Sequence, residues 1–444
     1  MWWAPELFGG SMKKILSVAL VALLAASTVF AAVSGSATAG FGYNFDTKDY
    51  GFIGNDKNVK FDFELATASV DKQAEGDVYA AIKASFAIVA LSDQKDGISP
   101  VSGKAFPVTG TTFGIKAKID SAKVAGKDWY VSILGVPSVN DFAKSAIDTW
   151  DVEDNKIYGL PDEDSTSKAT YKVNYAKAPG IEAGYAGYVM GFGLKGVAKE
   201  DGDLQTSVFA KTPEYEVAEG IKLQAGASYY YKKASAAVAN NAVGGSVKFA
   251  YENDTLSASV ASDMGYDAKA EQFDADVAAK LAISPVTVDA YYATNVKVDG
   301  VAVKNLLSAK AVVDLNAFDV PVALTVTAKD LVNKQDLNLK AAFNITEQLS
   351  ASVNGGYVID TKVWSVGGDV KYAADAFTVK AATAVKKTVD TDNMLLSASA
   401  SIESAVLVPG STLKLAWSGA KDLLDKDPLK ANYGKIVASC KIAF

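Results

Sequence analysis

The sequence predicts an all-β fold: a single antiparallel, up-and-down transmembrane β-barrel of roughly 18–22 strands that follows a cleaved signal peptide. Three observations predict it. Residues 12–31 have the pattern of an export signal, the chain after them alternates between apolar and polar residues with a period of two, and its last strand ends in phenylalanine. The predicted division is therefore 1–31 for an upstream extension and signal peptide, and 32–444 for an outer-membrane barrel.

The export signal has three parts. Met12-Lys13-Lys14 gives a positive start, Ile15 to Phe30 is apolar apart from three hydroxyl residues, and Val29-Phe30-Ala31 is a small-x-small cleavage site. A membrane anchor helix is the alternative, but about 20 apolar residues are needed to cross a bilayer, and the cleavage site follows this run at once. We expect Met12 to be the true start, with the residues before it as upstream read-through.

The alternation begins directly after the signal. Residues 33–45 place mainly Val, Ala, Phe and Tyr on one face and Ser, Thr, Gly and Asn on the other. Further copies, each near the roughly 9–11 residues that cross a bilayer as a tilted strand, lie at 59–65, 221–231, 273–281, 337–345, 349–359 and 396–402. This pattern predicts strands with one apolar face and one polar face that contacts water.

Turn signals between the alternating runs predict consecutive hairpins in a meander. They include Glu252-Asn253-Asp254, Val298-Asp299-Gly300 and Pro409-Gly410. Asn354-Gly355-Gly356 interrupts an alternating run, so it is either a turn or a pair of strand glycines.

The strands of a secreted soluble β-sandwich also alternate between apolar and polar residues, so alternation alone does not identify a membrane barrel. Three further features favour the membrane barrel. The mature length suits about 20 strands with their turns. The polar faces hold Lys, Asp, Asn, Ser and Gly, as a water-filled lumen requires. Aromatic residues recur near predicted strand ends, where a girdle at the lipid–water boundary would lie, although ordinary β-propensity also enriches them.

The C-terminal strand is the most specific signal. Apolar residues occupy every second position back from the end, and they are Ile436, Ala438, Cys440, Ile442 and Phe444. This pattern resembles the recognition strand that barrel-assembly machinery reads, which makes Ile442 and Phe444 the predicted assembly signal and that machinery a predicted partner. The lone Cys440 shares this face, so we interpret it as a small hydrophobe and not as a reactive thiol.

The composition excludes several classes of function. The chain has no histidine, and all its 44 basic residues are lysine. Histidine-dependent catalysis and metal binding are therefore excluded, and no Ser-Lys or carboxylate pair is placed for catalysis, so we predict no enzyme activity, no cofactor and no bound metal. The net charge of −7 and the lack of arginine also disfavour nucleic acid as a partner.

The start Met12-Lys13-Lys14-Ile15-Leu16, the small-residue run Ser34 to Asp46, the Lys-only basic set and Phe444 resemble the treponemal major outer sheath proteins, which are porin-like surface antigens. The resemblance covers the general plan of the mature chain. It implies pore formation and, on exposed loops, antigenicity and adhesion to host extracellular-matrix proteins. It carries over no functional residue.

These observations favour a porin, a passive pore for small hydrophilic solutes whose wall charges set the selectivity. Outer-membrane lipid surrounds such a barrel, and further copies of the chain are candidate partners. The small negative net charge predicts weak cation preference at most. The candidate pore-lining residues are Lys60, Asp62, Glu64, Lys116, Lys118, Asp274, Asp276 and Lys280.

A surface adhesin or structural outer-sheath protein is the alternative function, in which the barrel mainly displays loops. The longest stretch without alternation, residues 141–168, is rich in carboxylates and is the candidate long loop. It either faces outward or folds inward to narrow the pore. Asp151, Glu153 and Asp154 lack the full spacing of a calcium loop, so a solvated loop is the preferred interpretation.

Overall fold

A computed structural model confirms the predicted fold, because its strands form one antiparallel sheet that closes on itself. The signal peptide lies outside the described residues. For some strand residues, among them 58–66, 81–91 and 112–121, the backbone alone is described. The structure describes residues 36–46, 48, 50–52, 58–66, 78–91, 112–135, 142–147, 180–196, 204–233, 240–269, 271–294, 297–298, 301–302, 305–333, 335–387, 394–422 and 432–443.

The strands follow one another along the chain with a single short 3-10 turn, Leu315–Phe318, among the described residues. In chain order they are β1 (Ser36–Asn44), β2 (Tyr50–Phe52), β3 (Asn58–Ala66), β4 (Tyr79–Leu91), β5 (Thr112–Ala125), β6 (Trp129–Gly135), β7 (Gly180–Tyr185), β8 (Tyr188–Gly196), β9 (Leu204–Lys211), β10 (Tyr215–Ala218), β11 (Ile221–Lys233), β12 (Asn240–Glu252), β13 (Leu256–Asp267), β14 (Gln272–Ile283), β15 (Val286–Thr294), β16 (Lys297–Val298), β17 (Val301–Ala302), β18 (Asn305–Asp314), β19 (Val322–Ala328), β20 (Asp336–Asn344), β21 (Leu349–Val358), β22 (Val363–Ala373), β23 (Thr378–Lys387), β24 (Met394–Ser404), β25 (Ser411–Asp422) and β26 (Asn432–Ala443).

The wall closes where the last strand pairs with the first. β26 runs antiparallel to β1 from Ser36↔Ala443 to Asn44↔Lys435. The main sheet has 24 segments in the described chain. Two of its barrel strands are interrupted: β2 and β3 both lie next to β1, and β9 and β10 both pair with β11. Each of these two pairs makes one barrel strand, so the described wall has 22 barrel strands. This number lies within the predicted range, and it is even, as a closed antiparallel sheet requires. β16 and β17 form a small separate ribbon within the connection between β15 and β18.

Apolar side chains line the outside of the wall. In β14, Phe273 and Leu281 are 59% and 43% exposed, while Asp274 on the opposite face is fully buried. The same alternation holds in β20, where Leu337 and Leu339 are exposed. A band of exposed apolar side chains around a whole barrel would be costly in water at about 25 cal/mol per Å², and this band suits the hydrocarbon core of a bilayer.

Outward aromatic side chains gather at both ends of the strands. At one end they include Trp129, Tyr185, Tyr188 and Tyr215, and at the other Tyr229, Tyr266, Phe273 and Tyr292. The rings of Tyr188 and Tyr215 meet edge to face with centroids 6.2 Å apart. Two such rings of aromatic residues mark the two lipid–water boundaries of a membrane barrel.

The two ends of the barrel differ in their connections. At the end where the termini of the sheet, Ser36 and Ala443, pair, most connections are short, such as 126–128, 186–187 and 253–255. We call this the short-turn end, and the opposite end, which carries the connections 92–111 and 136–179, the long-loop end.

The predicted turns were partly right. The Asn253 side chain accepts hydrogen bonds from the N–H groups of Thr255 and Leu256 in the β12–β13 turn. Gly410 ends the β24–β25 turn with a φ of 72°. Asn354-Gly355-Gly356 is not a turn but lies within β21.

Candidate functional site: the inner wall of the barrel

The inner face of the barrel carries many polar and small side chains, together with a few buried apolar ones such as Phe209 and Leu306. Ser350, Ser352 and Asn354 follow one another on the inner face of β21, opposite the outward Val353 and Tyr357. Polar and small side chains on a wide barrel's inner face hold water rather than pack against each other. The inner wall is therefore the candidate site.

Asp274, Asp276 and Lys280 share the inner face of β14, as the alternation predicts, but they differ in environment. Both carboxylates are 0% exposed, whereas Lys280 is exposed. Lys280 lies directly opposite Asp289 of β15, and Asp289 lies opposite Lys310 of β18. Charge thus alternates across three neighbouring strands, an arrangement that favours their pairing.

The other predicted pore-lining residues lie on β3 and β5, where the backbone alone is described. The register places Asp62 and Lys118 on either side of one residue of β4, Ser85. Residues that pair directly share a face of the sheet, so these positions share one face. The predicted residues whose side chains lie outside the described residues are Lys60, Asp62, Glu64, Lys116 and Lys118.

A part of the long β6–β7 connection lies inside the barrel. We call residues 142–147 the inner segment. The carboxylate of Asp263, on the inner face of β13, accepts hydrogen bonds from the backbone N–H groups of Phe142 (N···O 2.9 Å) and Ala143 (N···O 2.7 Å). Because Asp263 faces the lumen, these bonds hold the inner segment against the inner wall at the long-loop end.

Alternate residues of the inner segment face the wall. Ala143, Ser145 and Ile147 are at most 2% exposed, whereas Lys144 and Ala146 are exposed. The Ser145 hydroxyl donates to the carbonyl oxygen of Ile147 (2.9 Å) and accepts from its N–H (3.1 Å), which fixes the local turn. The sequence left the direction of the 141–168 loop open, and the structure places 142–147 inward, whereas 148–168 lie outside the described residues.

The wall behind the inner segment is acidic. Asp263 lies directly opposite Asp276, a juxtaposition of like charges that destabilises a sheet unless other groups offset it. The buried Tyr291 hydroxyl donates to Asp276 (2.7 Å), and the Gln272 amide donates to Asp274 (2.7 Å to the nearer oxygen). These hydrogen bonds from neutral donors help to stabilise the two carboxylates within the wall.

Sequence reasoning missed Asp263 and Tyr291, although it could have found them. Asp263 follows Ser257 and Ser259 on the polar face of β13, the same pattern that identified Asp274. Tyr291 is one of two adjacent tyrosines near the end of β15, and alternation turns it inward while its neighbour Tyr292 points outward.

A second polar cluster lies on the inner wall near the short-turn end. The Lys123 ammonium lies 4.3 Å from the centroid of the Tyr130 ring, and the Tyr130 hydroxyl donates to Glu182 (2.7 Å). The ring lies over Gly184, where a Cβ atom would come within 2.1 Å of it. This glycine therefore gives the ring room against the wall, and the cluster links β5, β6 and β7.

The seam between the first and last strands is extended by a side chain. Asp46, in the turn after β1, accepts hydrogen bonds from the N–H groups of Tyr433 (2.6 Å) and Gly434 (2.9 Å).

Of the two residues of the predicted assembly signal, Ile442 is 41% exposed on the outer face of β26, and Phe444 lies outside the described residues.

Within the part of the chain that the structure describes, no group of three or more acidic or cysteine side chains is placed to hold a metal ion. Asp151, Glu153 and Asp154 lie outside that part. No helix of the described residues has the length and hydropathy to span a membrane.

No protein-family profile matches the chain, and no curated protein sequence matches it. Among solved structures, the translocation pore of the P pilus usher PapC covers 93% of this chain and 98% of its own, with 8% identity and a TM-score of 0.41. A mutant of the Rh. blastica porin covers 93% and 99%, with 12% identity and a TM-score of 0.31. A triple mutant of the Rhodopseudomonas blastica porin has the same coverage, identity and TM-score. Superpositions at this level carry no functional conclusion to this chain.

Proposed function

We propose that the chain is an outer-membrane pore through which small hydrophilic solutes diffuse passively. The observation that carries this proposal is the closed wall of 22 barrel strands, apolar outside and polar inside. Barrels of about eight strands fill with side chains, those of about 16–18 strands leave an aqueous channel, and those of about 22 strands have a lumen wide enough to hold a plug. A wall of this size therefore encloses water, and no residue needs to do covalent chemistry.

The inner segment is the proposed constriction. It lies against the wall at the long-loop end, which in bacterial barrels faces the cell exterior. Its exposed residues Lys144 and Ala146 face the open lumen, so they narrow the path of a solute on that side. The path continues past the exposed Lys280 toward the short-turn end.

The proposal is tested by recording from single refolded barrels in planar lipid bilayers in KCl. The protein is first shown to be folded by its faster gel mobility before boiling. We expect stepwise conductance that is absent from boiled protein. A folded, heat-modifiable barrel that inserts without conductance contradicts the proposal.

The constriction is tested by replacing residues 142–147 with six alternating Gly and Ser residues. A wider opening conducts more, so we expect single-channel conductance to rise by about half or more. Ala146→Ser is the matched control, because it changes an exposed side chain and keeps the docked backbone. Unchanged conductance in the replaced chain would show that the inner segment does not limit the pore.

A second role, as a surface antigen and adhesin, is favoured by the concentration of long connections at one end of the barrel. Outward loops of this kind are where a barrel meets host extracellular-matrix proteins. Deleting residues 148–168 and measuring both matrix-protein binding and conductance separates the two roles. Adhesion predicts loss of binding with conductance retained, and retained binding would remove this segment from the adhesive surface.

A further inference from the structure

The inner face of β20 to β26, which we call the open wall, carries an excess of lysine. The register of paired strands places each of these lysines on the lumen side, since their chain neighbours point outward as Leu339, Val370 and Val379 do. All seven are exposed, and they are Lys340, Lys371, Lys380, Lys386, Lys414, Lys435 and Lys441.

Few carboxylates of the open wall offset these charges. Glu403 pairs with Lys414, at a nitrogen–oxygen distance of 3.7 Å. Asp369 accepts a hydrogen bond from Ser352. Asp336 is 6% exposed and accepts a hydrogen bond from the amide of Asn338, so the lumen solution scarcely reaches it. The side chain of the fourth carboxylate, Asp422, lies outside the described residues.

The lysines are also placed where they repel each other. Lys371 lies directly opposite Lys380, and neither forms an ion pair with a residue that the structure describes. Like charges in directly opposed positions destabilise a sheet. Their inner-face neighbours across the strands are small, Ser350 beside Lys371 and Ser401 beside Lys380, so both ammonium groups stand clear of the wall.

The carboxylates of the opposite wall are in a different position. Asp263, Asp274 and Asp276 are at most 2% exposed, and the inner segment is hydrogen-bonded to Asp263 on the lumen side of the wall. A mobile ion in the lumen therefore meets exposed lysines on one side. On the other side these three carboxylates are buried, and the half-buried Asp289 lies between Lys280 and Lys310. Low-dielectric walls lined by one sign of charge concentrate ions of the opposite sign.

We propose that the lumen prefers small anions over small cations, with the lysines of the open wall as the residues that determine this preference. The inference rests on the proposed pore function and names its substrate class. It differs from the weak cation preference that the net charge of −7 predicts, because that charge counts carboxylates that do not face the lumen solution.

The experiment measures the reversal potential of single folded barrels in a bilayer between about 1 M and 0.1 M KCl, where screening is weak on the dilute side. Anion preference gives a reversal potential with the same sign as the chloride equilibrium potential, and we expect a chloride-to-potassium permeability ratio of about 2 or more. A ratio at or below unity overturns the inference even though the pore conducts, whereas absence of conductance overturns the pore itself.

Variants assign the preference to the wall. Lys340→Gln, Lys371→Gln and Lys380→Gln are combined, and we expect the permeability ratio to fall by about half or more. The matched control combines Lys127→Gln, Lys269→Gln and Lys362→Gln, which remove the same charge from exposed turns. We expect the control to keep the wild-type ratio. Equal falls in both variants would overturn the assignment to the open wall.

Discussion

Two stretches of the inner wall have the same alternating sequence pattern but meet the lumen differently. Along β11 to β18, which we call the covered wall, four inner-face residues are at most 2% exposed, namely Tyr230, Asp263, Asp276 and Tyr291, and Asp263 binds the inner segment. Along the open wall of β20 to β26, lysines stand exposed. The charge that a solute meets in the lumen therefore depends on which wall residues are covered, and not on the net charge of the chain.

The two walls are also stabilised differently. The covered wall gains buried hydrogen bonds, such as those from Tyr291 to Asp276 and from Ala143 to Asp263. The open wall contains the seam, where pairing of β26 with β1 is extended by the Asp46 side chain and by the Phe45 N–H, which donates to the Gly434 carbonyl oxygen. Changes in the covered wall should therefore alter a loop, and changes at the seam should alter the whole barrel.

The largest expected effect is from Gly434→Ala at the seam. Gly434 has a φ of +75°, and a Cβ atom there would lie 1.7 Å from the Ser418 carbonyl oxygen. We expect a loss of about 2–5 kcal/mol in stability from the strain and the clash. The measurement is the temperature at which the fast-migrating folded band disappears from gels.

The matched control for this variant is Gly355→Ala in β21. The nearest atom to an added Cβ there is 3.7 Å away, an ordinary contact distance. We expect Gly355→Ala to melt near the wild-type temperature. If the two variants melt alike, the close approach of Gly434 to Ser418 of β25 does not limit the stability of the barrel.

An intermediate effect is expected from Asp263→Leu in the covered wall. This change leaves the N–H groups of Phe142 and Ala143 without their acceptor, at a cost of about 1–3 kcal/mol. The inner segment should then leave the wall while the barrel stays folded. In a Cys440→Ser background, a Cys at position 145 should react with a water-soluble maleimide about tenfold faster than when Asp263 is present.

Two controls accompany this prediction. Asp263→Asn keeps an acceptor oxygen and should give an intermediate labelling rate. Ser259→Leu, on the same face of β13 but farther toward the short-turn end, should leave the rate unchanged. The same labelling rate in all variants would mean that Asp263 does not hold the inner segment.

The smallest expected effect is from Lys380→Glu in the open wall. The new carboxylate would lie directly opposite Lys371 and replace repulsion by attraction. We expect a gain of under about 1 kcal/mol, because both groups are exposed to water and screened by salt. The folded band should persist to a slightly higher temperature in dilute salt than in about 1 M KCl, and Lys386→Glu, which pairs with Ser365, should show no such gain.

The strands and their faces could be predicted because backbone geometry imposes them locally. A strand turns successive side chains to opposite faces, so apolar runs such as Leu337 to Ile345 identify the outer face without any tertiary information. The inward placement of Asp274, Asp276 and Lys280 followed from the same rule. The strand count followed from chain length divided by the length needed to cross a bilayer.

The environments of those three residues could not be predicted. Lys280 is exposed and the two carboxylates are buried, although all three lie on one face of one strand. Directly opposite Asp276, Asp263 of β13 binds the inner segment, residues 142–147, which are far from β14 in sequence. No local pattern in the loop distinguishes an inward from an outward path, because its acidic composition suits solvent in either place.

By itself, the sequence determined a closed membrane barrel with an apolar outer face and a polar inner face. Stretches of bilayer length that alternate with period two can satisfy their backbone hydrogen bonds in lipid by pairing into a closed sheet. Only the tertiary structure decided which inner residues meet the lumen, where Asp46 extends the seam, and which lysines remain exposed. These depend on contacts between strands and loops that are distant in the chain, which a local sequence pattern does not specify.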